Sequence, residues 1–502
     1  MKATVFRMEL WLAVSSLLLG QIGRAAVNFT ITPSAISNTD NGTITLQVTG
    51  LTNTETVVVQ KFLDANGNGA VDAPDLLVRQ FNLTDGAAGM VIGGVTNFNV
   101  PGDTDGSANG QITAQLHPSF NFVQVTVGKY LFVLSSPAGH FAPQTKSFSV
   151  TNFPYAQTIS GNVVNSGTNV PDAIVILFPG NSGGNGPGTP AGGTVANNSG
   201  AYTLQVPPGT YVPLAFKSNY VGNFGTSPVL TVNASQSVVT NLTLTNATPS
   251  ISGQVVDFDN HSLGLPGLTV PLLSDSGLIA VGFTDTNGNF NVPVTAGSWN
   301  VNGSAAGSFV GLGYVGYADD YSVSSGASGI LLPVHKATAL FYGSVKDNSG
   351  NPLPGIDISS GDYDDNYSVD DYSDANGNYV VGIIGGLGSG DPWQVQISSD
   401  SSPANYIFSQ PTFNMNGGTN MTVGNAVLQN FTGILATNHI SGHVQFNGTN
   451  VVGVQVVADA TIGGLNYQAQ MDTDDSGNDS LNVGNGTWNV SVLQCCDNDS
   501  LD

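Results

Sequence analysis

The stretch Phe341-Tyr-Gly-Ser-Val345 opens the clearest of four related segments in this chain. Its counterparts begin at Ile159, Ile251 and Ile440, and each has glycine at the third place and valine at the fifth. By subtraction, the glycines at positions 161, 253, 343 and 442 lie 92, 90 and 99 residues apart. Self-similarity at a fixed period indicates repeated copies of one structural unit, and a period of this size suits a small domain.

Two turn signals follow in every copy. In the third copy Leu353-Pro-Gly precedes alternating aliphatic residues, since proline presets φ for a turn. The second signal, Asn376-Gly377-Asn-Tyr379, supplies the positive φ of a tight hairpin before an aromatic residue re-enters the core. Further aromatic residues begin another alternating segment in each copy, at Tyr211, Trp299, Trp393 and Trp488. The order of landmarks predicts strands throughout.

Composition supports the same fold class. The 502 residues include 64 glycines but only 10 lysines and arginines, and glutamate occurs only at Glu9 and Glu55. Good helix formers are therefore scarce, whereas valine and threonine are common, so we expect an all-β protein.

The landmarks resemble those of carboxypeptidase regulatory-like domains, also called transthyretin-like or prealbumin-like domains, over about residues 157–493. The resemblance implies Greek-key β-sandwiches of roughly seven strands, a fold shared with some starch-binding modules and bacterial adhesin stalks. It implies no peptidase activity. We therefore expect tandem Greek-key β-sandwiches, Ig-like or transthyretin-like, arranged as beads on a string.

Domain boundaries follow from the period. We expect a signal peptide at 1–25, an N-terminal β-sandwich at 26–156, and four repeats at 157–248, 249–338, 339–436 and 437–502. Repeat 4 is expected to be truncated, because it lacks the alternating segment that ends the other three. The two cysteines, Cys495 and Cys496, are adjacent, and fit neither a disulfide scaffold nor a zinc site.

The N-terminus predicts export. Lys2 and Arg7 precede an apolar run from Leu10 to Leu19, and small residues follow at a plausible cleavage site. No later stretch is apolar enough to span a membrane. The net charge of −24 argues against nucleic acid and anionic lipid as partners. We expect an extracellular or cell-surface protein whose partners are polysaccharide or other surface proteins.

The sharpest candidate site is a twelve-residue loop that resembles an EF-hand or dockerin calcium loop. Oxygen ligands at places 1, 3, 5, 9 and 12, a backbone carbonyl at 7 and glycine at 6 are the calcium pattern. The loop supplies Asp64, Asn66, Asn68, Asp72 and Asp75, with Ala70 at the carbonyl place and Gly69 at the turn. We expect one Ca²⁺ site; the alternative is a polar hairpin turn.

A second cluster lies in repeat 3 and combines tyrosines with aspartates. Aromatic rings stack on sugars and carboxylates accept bonds from hydroxyls, so the cluster could bind carbohydrate or a second cation; an acidic solvated loop is the alternative. The cluster comprises Tyr363, Asp364, Asp365, Tyr367, Asp370, Asp371 and Tyr372.

Catalytic patterns are absent from the sequence. With glutamate only at positions 9 and 55, no zinc-carboxypeptidase motif exists, and no serine-hydrolase elbow or phosphate loop occurs. His439 and His443 stand four residues apart at a predicted strand, too far apart to share a metal. We expect a non-catalytic structural or adhesive protein. The alternatives are a carbohydrate-binding array and the ancillary part of a larger extracellular carbohydrate-active enzyme.

Overall fold

The computed structural model describes residues 26–118, 122–180, 190–302, 306–317, 320–388, 390–398, 405–414 and 417–493. The predicted signal peptide and the cysteine pair Cys495–Cys496 lie outside these ranges. The expected all-β fold of tandem sandwiches is confirmed. Within these ranges the helical residues are those of α1 (Ala306–Val310), of two 3-10 turns, Phe122–Gln124 and Phe224–Thr226, and Asn414. None of the described helices is long and apolar enough to cross a membrane.

The N-terminal module contains a three-stranded sheet, ordered β1-β3-β8, and a five-stranded sheet, ordered β2-β10-β9-β4-β5. Strand β2 runs parallel to β10, and the short strands β6 and β7 form a separate hairpin. The strands are β1 (Asn28–Thr32), β2 (Ala35–Ser37), β3 (Ile44–Thr49), β4 (Thr56–Asp64), β5 (Leu76–Thr84), β6 (Val91–Ile92), β7 (Val95–Thr96), β8 (Gln111–Leu116), β9 (Gly128–Ser135) and β10 (Gln144–Thr151).

Repeats 1 and 2 follow in chain order. The strands of repeat 1 are β11 (Gln157–Asn165), β12 (Thr168–Asn169), β13 (Ile174–Pro179), β14 (Gly192–Val195), β15 (Ala201–Val206), β16 (Gly209–Phe216), β17 (Tyr220–Asn223), β18 (Leu230–Val232), β19 (Ser237–Val239), β20 (Leu242–Thr243) and β21 (Thr245–Asn246). Those of repeat 2 are β22 (Ser250–Asp257), β23 (Thr269–Ser274), β24 (Leu278–Phe283), β25 (Asn289–Pro293), β26 (Ser298–Asn302), β27 (Tyr314–Tyr317), β28 (Asp320–Ser324) and β29 (Ile330–Lys336).

Repeats 3 and 4 complete the described chain. The strands of repeat 3 are β30 (Ala339–Asp347), β31 (Asp357–Asp362), β32 (Tyr367–Tyr372), β33 (Asn378–Ile383), β34 (Trp393–Ile397), β35 (Tyr406–Gln410), β36 (Ala426–Leu428) and β37 (Phe431–Leu435). Those of repeat 4 are β38 (Asn438–His443), β39 (Gln445–Phe446), β40 (Thr449–Asn450), β41 (Gln455–Ile462), β42 (Leu465–Asp472), β43 (Asn478–Val483) and β44 (Asn489–Leu493).

One plan underlies the four repeats. The first strand pairs antiparallel with the strand that follows the Asn-Gly turn, as β30 pairs with β33. In repeats 1 to 3 it also pairs in parallel with the last strands of the repeat, which we call the closing strands: β19 and β20, β29, and β36 and β37. The aromatic strand and its neighbours form the opposite sheet, as in β32-β31-β34.

The second turn has the geometry that the sequence predicts. Gly200, Gly288, Gly377 and Gly477 all adopt φ between 75° and 78°. In repeat 3 one carboxylate oxygen of Asp374 accepts the backbone amides of Asn376 and Asn378, both at 2.8 Å. The carbonyl of Gly377 then accepts the amide of Val345 on the first strand. The turn is therefore fixed to the core through its glycine.

Each repeat supplies most of one buried hydrophobic cluster. Repeat 1 buries residues such as Ile159 and Tyr202, repeat 2 buries Trp299, and repeat 3 buries Phe341 and Trp393. Repeat 4 has a smaller cluster around Leu481. The clusters also cross the predicted boundaries, since the repeat 4 cluster includes Ile407 and Ile434 of repeat 3.

The modules also share hydrogen-bonded sheets. In each of repeats 1 to 3, one strand near the end of the repeat, here called the bridging strand, pairs with the following repeat. Bridging strand β17 pairs with β24, β27 pairs with β32, and β35 pairs with β42. Each begins with tyrosine and an aliphatic residue, at Tyr220, Tyr314 and Tyr406. The structure thus adds direct strand contacts between successive sandwiches.

The N-terminal module packs against the repeats as well. Its core cluster is continuous with Ile176 of repeat 1 and Ile279 of repeat 2. Arg79 donates from Nη2 to the carbonyl of Gly311, at 3.3 Å. The backbone amide of Ala375 in repeat 3 donates to the carbonyl of Asn41, at 2.9 Å. The module therefore contacts repeats 1, 2 and 3.

Candidate functional site

The predicted calcium loop connects β4 to β5. Asp64 is the last residue of β4 and is 3% exposed, so the first ligand position is fixed by the sheet. Its two carboxylate oxygens accept the backbone amides of Asn68 and Gly69, at 3.0 and 2.9 Å. Gly69 adopts φ of +80°, the conformation expected at the sixth place. These bonds wrap the loop around Asp64.

Three further candidate ligands converge in the loop. Asn66 Nδ2 donates to both oxygens of Asp72, at 3.0 and 3.1 Å, and Asn68 Nδ2 donates to Asp72 Oδ2 at 2.6 Å. Rotation of the two amides by 180° about their terminal bonds would present oxygens at the same place. The donor set is then carboxylate and amide oxygen, which suits a hard cation such as Ca²⁺.

Asp75 has a different local role. Its two oxygens accept the backbone amides of Ala65 and Asp72, both at 3.0 Å, so it fastens the two ends of the loop together. Burial raises the pKa of the Asp75 carboxyl, with the charges of Asp64 and Asp72 acting in the same direction and the two amide bonds opposing it. A bound cation would counter that repulsion.

A basic side chain borders the loop. Lys129 Nζ donates to the carbonyl of Gly67, at 2.9 Å. Loop residues from Asp64 to Gly67, together with Lys129 and residues Val195 to Ser199 of repeat 1, line an open cavity of about 550 Å³. The loop thus lies beside the junction with repeat 1. Ala70, whose backbone carbonyl would be the ligand at place 7, is exposed.

The tyrosine–aspartate cluster of repeat 3 is divided between a turn and a strand. Tyr363, Asp364 and Asp365 lie in the exposed turn between β31 and β32, and Tyr363 is 60% exposed. Tyr367, Asp370, Asp371 and Tyr372 belong to β32, where alternate residues face opposite sides of the sheet. Burial raises the pKa of Asp370. The structure therefore does not bring all seven residues together at one surface.

Asp371 is 1% exposed and faces the N-terminal module. Its Oδ2 accepts the side-chain amide of Asn99 at 2.9 Å and the backbone amide of Val380 at 3.3 Å. Burial raises the pKa of Asp371 to about 7, although these hydrogen bonds act in the opposite direction. Its position makes Asp371 a contact between modules rather than a solvent-facing ligand.

Aromatic rings surround the junction between repeats 2 and 3. Phe258 stacks on His335 with ring centres 3.7 Å apart, and His335 meets the edge of Tyr367 at 5.5 Å. Tyr317 pairs with Tyr367 in the sheet and contacts the ring of Tyr321 at 5.7 Å. Phe258 and Tyr321 are 45% and 43% exposed. These residues are far apart in the sequence, and the pairing of β27 with β32 brings them together.

His439 and His443, which were expected not to form a metal site, both belong to β38. His443 contacts Asn478 through Nδ1 and Asn450 through Nε2, at 2.9 and 3.0 Å. Across the described ranges, no three His, Cys, Asp or Glu side chains are grouped closely enough to hold a metal. The calcium interpretation therefore depends on asparagine and backbone oxygens in addition to carboxylates.

The bridging strands are the main structural feature that sequence reasoning missed. Their signal was present in the repeated pairs Tyr220-Val221, Tyr314-Val315 and Tyr406-Ile407, each late in its repeat. Alternation alone could not show that these strands pair with the next module.

Comparison with known proteins gives remote structural likenesses. No protein-family model matches the chain, and neither does any curated protein. Among solved structures, the Bacillus anthracis TIE protein is 12% identical with a TM-score of 0.17, over 82% of this chain and 76% of that one. The major pilin subunit BcpA of Bacillus cereus is 10% identical with a TM-score of 0.15, over 55% and 99%. Macromomycin is 19% identical with a TM-score of 0.16, over 25% and 100%. Overlays at these TM-scores support no statement about function, and the resemblance to carboxypeptidase regulatory-like domains gains nothing from them.

Proposed function

We propose that this chain is an exported, non-catalytic structural or adhesive protein of the cell surface or the extracellular space. The observation that carries the proposal is the bridging strand at every junction between repeats. Strand pairing between modules restricts their relative rotation, because backbone hydrogen bonds are directional. A row of sandwiches joined in this way can hold a binding function at a distance from its attachment point.

The composition agrees with this role. The chain has two glutamates and no nucleophile motif in its sequence. A structural or adhesive role is compatible with this composition, because it requires no catalytic group. The charge of −24 keeps a glycine-rich chain soluble outside the cell. Other surface proteins are the partners that such a role implies.

The test is to loosen one junction. Gly316→Pro removes a backbone amide from β27, where Gly316 pairs with Ser368. Small-angle X-ray scattering should give a broader distance distribution for this variant than for the natural protein. Ala234→Pro is the control, since residue 234 is the second residue of an exposed turn, closed by the bond from Gln236 N to Asn233 O, where proline is favoured. Identical scattering from a folded Gly316→Pro protein, or hydrolysis of glycans or peptides by the natural protein, would contradict the proposal.

We also propose that the loop from Asp64 to Asp75 binds one Ca²⁺ and stabilises the N-terminal module. The support is the convergence of Asn66, Asn68 and Asp72 within about 3 Å of one another and the wrapping of the loop around Asp64. With a Kd on the order of 10⁻⁴ M, 5 mM calcium stabilises the module by about 2 kcal/mol.

Thermal melting of the protein in chelator and in calcium tests this site. Calcium should raise the melting temperature, and Asp64→Ala or Asp72→Asn should abolish the rise. Asp275→Asn removes the same charge from an exposed turn of repeat 2 and should leave the rise intact. Equal melting temperatures with and without calcium would remove the site.

A second candidate function is carbohydrate binding, which the aromatic rings at the junction of repeats 2 and 3 favour. Tyr321 and Tyr363 are exposed, and the aspartates near Tyr367 include Asp362 and Asp391. Aromatic faces with nearby carboxylates suit neutral sugars. Co-sedimentation with insoluble polysaccharide, with and without calcium, should be lost in Tyr321→Ala and Tyr363→Ala. Unchanged sedimentation of both variants would exclude this surface.

A further inference from the structure

The N-terminal module reaches past repeats 1 and 2 to contact repeat 3. The contact is made largely by the segment between β5 and β8, residues 85–110, here called the arm, which includes the hairpin of β6 and β7. This contact closes a loop of chain that contains repeats 1 and 2. We propose that the arm is a tension-sensitive latch, which holds the chain folded back and releases repeats 1 and 2 as extra length when the protein is pulled. The proposal rests on the structural role proposed above.

The tip of the arm is buried against repeat 3. Ile92 is 9% exposed and belongs to the same hydrophobic cluster as Leu340 and Val380 of repeat 3. Beside it, Gly93 lies against the segment that leads into the closing strands. A Cβ on Gly93 would lie 2.7 Å from the carbonyl oxygen of Gly424, so the two backbones are in direct contact. The arm is thus seated on repeat 3 by apolar burial at its tip.

The face of repeat 3 that receives the arm is apolar, unlike the equivalent faces of repeats 1 and 2. In each repeat, a residue on the outer face of the first strand pairs with one on the strand after the Asn-Gly turn: Tyr342 with Val380, Ser160 with Thr203, and Ser252 with Asn291. Val380 is 4% exposed, whereas Thr203 and Asn291 are exposed. Among these three repeats, the apolar residues therefore occur in the one whose outer face the arm covers.

Hydrogen bonds fix the position of the arm on repeat 3. Asn99 Nδ2 donates to Asp371 Oδ2 at 2.9 Å and to the carbonyl of Val380 at 3.0 Å. Outside the arm, the backbone amide of Ala375 donates to the carbonyl of Asn41 at 2.9 Å. Because hydrogen bonds are directional, these contacts hold the N-terminal module in one orientation against repeat 3.

The base of the arm is fastened to its own module. Asp103 is 2% exposed, and its two carboxylate oxygens accept the backbone amides of Gly86 and Thr113, at 2.9 and 3.1 Å. The backbone amide of Asp103 donates to the carbonyl of Ala87 at 2.8 Å, which joins the two ends of the arm. Tension on the N-terminal module is therefore passed to the tip of the arm without first unravelling its base.

Two load paths connect the N-terminal module to repeat 3. One is the arm contact, and the other follows the chain through repeats 1 and 2. The arm contact is the shorter path, so tension loads it first, and the contact with repeat 2 through Arg79 and Gly311 must separate in the same step. A folded domain of about ninety residues is about 3 nm across, so release adds about 6 nm while repeats 1 and 2 stay folded. Unfolding one repeat would instead add about 30 nm.

Optical-tweezers pulling on the full chain, with handles at its two ends, tests the latch. The natural protein should show a reversible step of about 6 nm at a lower force than the steps of about 30 nm that mark unfolding of a repeat. Ile92→Asp places a charge at the buried tip and should remove the short step while the long steps remain. Val91→Asp introduces the same charge at the neighbouring residue, which is 51% exposed, and should keep the short step.

A second pair of variants weakens the latch without burying a charge. Ala375→Pro removes the amide that donates to Asn41, at the second residue of the turn closed by the bond from Gly377 N to Asp374 O, where proline is favoured. Thr286→Pro makes the same change in the equivalent turn of repeat 2 and is the control. The short step should occur at a lower force in Ala375→Pro than in Thr286→Pro. A natural protein without the short step, or an unchanged short step in Ile92→Asp, would overturn the proposal. Neither result concerns the pairing of β27 with β32, which Gly316→Pro tests separately.

Discussion

Repeats 3 and 4 share the first-strand motif, with glycine at the third place and valine at the fifth, but they differ in what covers their first strands. In repeat 3, β30 lies between β33 and the closing strands, and Phe341 is fully buried. In repeat 4, β38 has β43 alone among the described strands, and Ile440 at the place of Phe341 is only half-buried. The motif forms a strand in both repeats. The strands that pair with this first strand determine how deeply its side chains are buried, and therefore how much the strand stabilises its repeat.

A second difference concerns the outer sheet. Asp371 of repeat 3 pairs with Ile358, and Met471 of repeat 4 pairs with Val456 at the same place in the fold. Asp371 is buried against the N-terminal module, whereas Met471 is 37% exposed. Contact with the N-terminal module therefore gives repeat 3 a buried carboxyl that repeat 4 lacks.

The largest expected effect comes from truncating the first-strand side chain. Phe341→Ala should destabilise repeat 3 by about 3–5 kcal/mol, because it leaves a cavity in a closed core. Ile440→Ala should cost repeat 4 less than about 2 kcal/mol, since that side chain is already partly in water. Native-state hydrogen exchange, read separately on β30 and β38, measures both. Equal losses of unfolding free energy in the two variants would contradict the role given to the difference in burial between Phe341 and Ile440.

The next effect depends on pH. Because the folded-state pKa of Asp371 is about 7, the folded protein holds a proton there that the unfolded chain has released above about pH 4. Stability should therefore fall as pH rises from about 4 to 7 and level off above 7. Asp371→Asn should remove this fall and stabilise the protein at pH 8 by roughly 4 kcal/mol, since the pKa rises by about three units and each unit corresponds to about 1.4 kcal/mol.

Melting temperatures from pH 4 to pH 8 check that prediction. Met471→Asp is the matched control, since a carboxyl at the exposed place in repeat 4 should add little pH dependence. A pH profile of Asp371→Asn that matches the natural protein would show that Asp371 does not retain its proton.

A smaller effect is expected at the first-strand glycine. Gly343→Ala should destabilise repeat 3 by about 1–3 kcal/mol, because the new methyl group would meet the carbonyl of Gln429 and displace the closing strand. Gly442→Ala meets only the end of the Asp479 side chain, which can rotate, and should cost under about 1 kcal/mol. Denaturant unfolding monitored by hydrogen exchange in each repeat would detect the difference. Similar losses of stability in the two variants would mean that the closing strand can move without a loss of free energy.

The smallest effect concerns a single hydroxyl. Tyr379→Phe removes the 2.7 Å bond to the carbonyl of Gln429 and should cost about 1 kcal/mol. Phe290, the natural equivalent in repeat 2, lacks the hydroxyl, so Phe290→Tyr is the reverse change. Unaltered hydrogen exchange of β36 and β37 in Tyr379→Phe would show that the hydrogen bond from the tyrosine hydroxyl does not stabilise the closing strands.

Local chemistry made part of this structure predictable. The Asn-Gly turn at Gly377 and the wrapped loop at Asp64 depend on residues within a few places of each other, so their patterns suffice. The tyrosine–aspartate cluster was harder to interpret, because strand alternation sends Asp371 into the protein while Tyr363 stays in water. The closeness of residues in the sequence does not specify which face of a sheet is buried against another module.

By itself, the sequence determined the all-β class, the ninety-residue period and the turns, because alternation and positive φ are properties of short segments. The tertiary structure alone decided that β17, β27 and β35 bridge to the next repeat and that Asn99 meets Asp371. It also decided that the edge of β38 has no closing strand among the described residues. The reason is that the residues that pair with a strand edge, or that bond to a buried carboxyl, lie far away in the chain. A local sequence pattern does not identify them.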